Sequence, residues 1–142
     1  MALSDPAVVR FIREDLGCGC PDEVLREIRI DRAWRVSDLD AEVVRIDVGG
    51  RLLVLVLVVE DPPSGLAELV TSAVGAGLDE RDRLSFNRLR VVLASPHPSG
   101  VRRSADRAFD TCHRPDDRIH LHVVDLHTVP VSIRPTDGAV HS

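Results

Sequence analysis

The chain contains no lysine, no tyrosine and no glutamine, a single asparagine at Asn87, and only one Met, one Trp and three Phe. All 18 basic residues are therefore arginine. Each gap removes a chemistry. A Schiff base needs a lysine amine, so lysine-dependent pyridoxal and aldolase mechanisms are excluded. A phosphate-cradling P-loop ends in Gly-Lys-Ser/Thr, so a nucleotide triphosphatase of that kind is excluded too. The Asp…Glu-x-Lys nuclease pattern fails for the same reason. No Gly-x-Ser-x-Gly elbow is present, which leaves the usual α/β serine hydrolase unsupported.

Long apolar runs are also missing. The longest, "LLVLVLVV" at 52–59, is far short of the roughly 20 residues a membrane helix needs. The opening "MALSDPAVVRFIRED" becomes charged too early for a signal peptide. Three cysteines do not make a secreted disulfide framework. Together these features predict a cytoplasmic protein with reduced thiols and no membrane partner. A net charge of −5 argues against nucleic acid or anionic lipid as a partner.

What is present reads as one globular unit. The 142 residues are 44% hydrophobic and 29% charged, enough for a core without disulfide staples. Ser4 to Asp15 reads as a helix capped by Ser4 or Asp5, with Val8, Val9, Phe11, Ile12 and Leu16 on one face and Gly17 ending it. A second helix is expected from Cys20 and Pro21, burying Val24, Leu25 and Ile28. Strands are expected near Arg29 to Trp34, Glu42 to Val48 and Arg51 to Glu60, the last two joined by a Gly49-Gly50 turn. The apolar middle of the third strand predicts cover on both faces and a central place in the sheet.

Two stretches then echo one another. "VVEDPPSGLAELVTSAVGAG" and "VVLASPHPSGVRRSADRAFD" both run from strand to helix, with Ser64 and Ser99 as matching caps. "GAG" at Gly75 to Gly77 reads as the end of the first of these helices. The fold class is therefore α/β. A mixed sheet is expected, with an antiparallel hairpin at about 42–60 followed by two parallel strand-helix units with right-handed crossovers. An N-terminal helix pair completes it. Residues 1–127 form the single domain and 128–142 an extended or disordered tail.

The stretch with a chemical look is "LGCGCPDEVL" at 16–25. A thiol at a helix N-terminus meets the positive end of the dipole, which favours thiolate. Cys18 and Cys20 could bind one soft metal ion together or close a small, easily reduced disulfide. The plain alternative is a loop with two small sulfur side chains packed beneath it. Cys112 and His113 would complete a set of three thiolates and one imidazole with Cys18 and Cys20, a set that suits zinc. His120 and His122 share one face of a strand, most simply a half-exposed one. A second ligand site is expected beyond the carboxyl ends of the parallel strands, from Glu60, Asp61, Ser95, His97, Asp125 and His127.

The pieces "LGCGCPDEV", "DERDRLSFNRLRVVL" and "DRIHLHVV" make the chain similar to small uncharacterised prokaryotic proteins with the same Cys-Gly-Cys-Pro start. The resemblance implies that Cys18, Cys20 and Pro21 form a recurring motif. It implies no activity, and it leaves Cys112 and His113 unsupported. Three functional readings follow: a thiol or soft-metal role for Cys18 and Cys20, a homo-oligomeric interaction module pairing through a sheet edge, or a metal-dependent or acid–base enzyme at the strand ends.

Overall fold

The computed structural model describes residues 5–17, 19, 21–36, 42–59, 65–112 and 118–135, with the backbone alone at residue 112. Five strands form one mixed sheet in the order β1 (Ile28–Asp31), β2 (Val44–Val48), β3 (Leu52–Val58), β4 (Arg88–Ser95) and β5 (Ile119–Asp125). The first three run antiparallel, and β3, β4 and β5 run parallel. The hairpin followed by two crossover units is thus the fold expected, with β3 in the middle.

The hairpin turn follows from its glycines. Gly49 and Gly50 take φ of +58° and +66°, and Arg51 N–H closes the turn on Val48 O at 3.0 Å. Two positive φ angles give a turn whose twist matches the strands it joins. Gly49 also has no room for a side chain, because a Cβ there would lie 2.5 Å from Val24 Cγ1 and 2.9 Å from Val24 O.

Both faces of the sheet are covered. On one, Leu53, Leu55 and Leu57 of β3 pack with α3 (Leu66–Arg83) and α4 (Pro98–Cys112) through Val70, Val74, Val101 and Ala105. On the other, Leu52, Val54 and Val56 meet the N-terminal segment through Val8, Phe11, Ile12 and Leu16. That segment begins as α1 (Pro6–Arg10), where Asp5 accepts from Ala7 N–H at 2.9 Å. It widens into a π-turn over Phe11–Asp15, closed by Leu16 N–H on Phe11 O at 3.0 Å. The wider turn brings Phe11 and Leu16, five positions apart, onto one buried side. The second helix, α2 (Asp22–Leu25), is a single turn that still buries Val24 and Leu25.

Four details differ from the sequence reading. Gly75 and Gly77 do not end a helix, since α3 runs on to Arg83. Gly77 is instead where α3 comes closest to the sheet: a Cβ there would lie 2.8 Å from both methyls of Leu89. Ser99 is not a cap but lies inside α4, which starts at Pro98. β1 stops at Asp31, short of Trp34, because the Asp31 carboxylate takes Ala33 N–H at 2.8 Å and turns the chain. Finally, residues 128–135 are packed. Val129 and Ile133 are wholly buried beside α1. Arg32 donates to Ser132 O at 2.9 Å and Arg134 O at 2.7 Å, and Ser132 Oγ donates to Asp5 Oδ2 at 3.0 Å. Residues 136–142 and Ser64 lie outside the described residues.

Candidate functional site

Among the sequence candidates, Cys18, Cys20, Glu60, Asp61 and His113 lie outside the described residues. Cys112 is the last residue of α4, in the layer opposite to α1. Among the described residues no group of three or more His, Cys, Asp or Glu side chains is placed to hold a metal ion.

The carboxyl ends of β4 and β5 lie side by side, with Ser95 opposite Asp125. Their polar groups serve the local turns. Ser95 Oγ, wholly buried, accepts from His97 N–H at 3.1 Å. Asp125 Oδ1 accepts from His127 N–H at 2.8 Å. His97 and His127 are exposed. Such bonds shape the chain as it leaves a strand.

The opposite end of the strands is built differently. A cavity of about 240 Å³ opens there, with Gly17, Gly19 and Pro21 on one side and Arg51, Arg88 and Arg90 on the other. Local geometry explains the cluster. Arg51 follows the glycine turn, and its carbonyl accepts from Asn87 N–H at 2.8 Å and Arg88 N–H at 3.0 Å. This draws the start of β4 against the start of β3. Alternation then sends Leu89 and Val91 toward α3 and α4, and turns Arg88 and Arg90 toward the α1 layer. None of the described residues lining the cavity is acidic.

Arg90 is the unusual member. Only 8% of it is exposed, and its Nη1 lies 2.9 Å from His122 Nε2. Arginine has no lone pair to offer, so Nε2 accepts and the ring proton sits on Nδ1. Burial, with the charges of Arg90 and then His120 adding to it, pushes His122 down to about 4. The ring is neutral at neutral pH and offers Arg90 a hydrogen bond but no counter-charge. Arg90 Nε is buried and has no hydrogen-bond partner among the described residues. Burial, helped by the nearby Arg88, pulls the Arg90 guanidinium below its ordinary value.

The other two buried arginines are treated otherwise. Arg45, also 8% exposed, pairs with Asp47 at 3.0 Å and with Glu80, and lies 5.4 Å from the centre of the Trp34 ring. Arg81, 6% exposed, pairs with Asp82 at 3.1 Å. Buried charges are normally matched in this way. Arg90 alone of the three faces a cavity whose described wall holds no carboxylate.

The sequence carries one signal of the arginine wall, in "RLRVVLAS": two arginines on one face of an otherwise apolar parallel strand. Chemically, such a wall stabilises a negative charge, whether thiolate, carboxylate or phosphate, and disfavours a metal cation. No protein-family model, no curated protein and no solved structure matches the chain.

Proposed function

We propose that this protein is a thiol-based oxidoreductant in which Cys18 and Cys20 act as a nucleophile and resolving pair beside the arginine-walled cavity. One observation carries the reading: Gly17, Gly19 and Pro21, the immediate chain neighbours of both cysteines, line that cavity together with Arg51, Arg88 and Arg90. Cationic surroundings lower a thiol's pKa and raise its thiolate fraction. The same surroundings oppose a divalent cation, so thiol exchange is favoured over zinc binding.

The step balances with a disulfide as the oxidised partner. One cysteine thiolate attacks a substrate sulfur, the substrate disulfide breaks, and a mixed disulfide forms. The second cysteine, as thiolate, attacks the protein sulfur of that bond. A Cys18–Cys20 disulfide closes and the substrate leaves as a dithiol. A dithiol reductant returns the pair to its starting state. The test is an equilibration against oxidised and reduced glutathione, read by mass spectrometry after rapid alkylation. A two-hydrogen loss localised to the peptide with Cys18 and Cys20 is expected, and Cys18→Ser and Cys20→Ser should each trap a glutathione adduct. If both thiols stay free across the full redox range, the reading is wrong.

A further inference from the structure

We infer that the cavity between Gly17, Gly19 and Pro21 and the first residues of β3 and β4 is a binding site for a small oxyanionic group, a carboxylate or a phosphate, gripped by Arg90, Arg88 and Arg51. The inference goes beyond the thiol reading and stands without it, because it rests on neither cysteine.

Three independent observations support it. First, Arg90 is more than nine-tenths buried, lines the cavity, and keeps a buried Nε without a partner. Burying a guanidinium without a counter-charge is costly, and native proteins seldom do it without a use. Second, the neutral His122 holds Nη1 at 2.9 Å, which fixes one edge of the planar fork. A guanidinium held this way is set for directed recognition of an oxyanion. Third, Arg51 and Arg88 add two exposed guanidinium groups at the rim, and neither forms an ion pair among the described residues. In a chain of net charge −5, three arginines gathered with no acid among the described lining residues form a local reversal of field.

Size limits the ligand. About 240 Å³ is below the roughly 300–1,000 Å³ of sites that enclose drug-sized molecules. Val24 and Leu52 contribute apolar wall beside the arginines. A small acid, or the charged end of a larger one, fits this combination.

The experiment titrates the full chain with inorganic phosphate and, separately, with acetate, at constant ionic strength set by chloride. Binding is read by calorimetry and by the shift in unfolding temperature. Phosphate or acetate should bind and raise that temperature, and the stronger of the two identifies the source of the oxyanion. Arg90→Gln should weaken binding by about tenfold or more, while Arg102→Gln, on α4 in the opposite layer, should not. The rim variant Arg88→Gln should weaken it less. Cys18→Ser with Cys20→Ser should bind the anion at least as tightly as the parent does, which separates this site from the thiol chemistry. Equal binding by the parent and Arg90→Gln, or no response to either anion beyond that of chloride, would overturn the inference.

Discussion

A guanidinium keeps its charge wherever the chain puts it, so its surroundings must answer. At Arg45 the answer is two carboxylates and an indole ring; at Arg90 it is one neutral imidazole. His122 carries the consequence. Its folded pKa is held at about 4, below the ordinary 6.5, by burial first and then by Arg90 and His120. A depressed histidine binds its proton more readily in the unfolded chain. Its contribution to stability is therefore complete above pH 6.5 and is lost as the pH falls toward 4. Urea unfolding across that range should show a loss of about 1–3 kcal/mol, and NMR titration should find His122 still neutral at pH 5.5. His122→Asn, which can still accept from Arg90, should flatten the slope. A ring that titrates near its ordinary value would mean that it is not buried against Arg90.

Elements are joined here by few but specific contacts. Glu80 of α3 ties that helix to β2. Its carboxyl is held at about 2 by the Arg83 hydrogen bond first, with Arg45 adding to it against the cost of burial. A depressed carboxylate stabilises fully above its ordinary 4.5, and that stability drains away as the pH falls toward 2. Glu80→Gln should cost about 1–2 kcal/mol at neutral pH and remove this acid limb. The glycine turn supplies a second test at this scale. Gly49→Ala meets the Val24 backbone at 2.9 Å and should cost about 2 kcal/mol or more, while Gly50→Ala, with φ of +66° but open space, should cost less. Equal losses would mean that the close approach of α2 is unimportant. The turn itself was legible, because Gly-Gly between alternating runs demands it. Gly77 was misread, because a glycine that ends a helix and one that lets a helix touch a sheet look alike in one dimension.

The whole molecule is a sheet clothed on two sides, and the two sides differ in how far the sequence discloses them. The face under α3 and α4 follows from local order, since each crossover helix must fold back on the strands it joins. The other face is assembled from the two ends of the described chain: α1 from one, Val129 and Ile133 from the other, fastened through Asp5, Arg32 and Ser132. No local pattern announces that meeting, so residues after 127 read as a tail and the N-terminal helices lacked a place. Arg90 stayed hidden for the same reason: its burial depends on a layer supplied by distant segments. Ile133→Ala should cost about 2–4 kcal/mol in urea unfolding, as a core truncation does. A loss within about 0.5 kcal/mol, typical of surface sites, would mean the segment is only laid against the body.

The proposed link between the cationic cavity and the Cys18–Cys20 pair is tested most directly by the thiolate pKa itself. It can be followed by ultraviolet absorbance and by the pH dependence of iodoacetamide alkylation, in a Cys112→Ser background. One thiol of the Cys18–Cys20 pair should ionise at least about one unit below the ordinary 8.5 of free cysteine, and Arg90→Gln should return it most of the way. Ionisation at or above 8.5 in both proteins, unmoved by the loss of Arg90, would contradict the account.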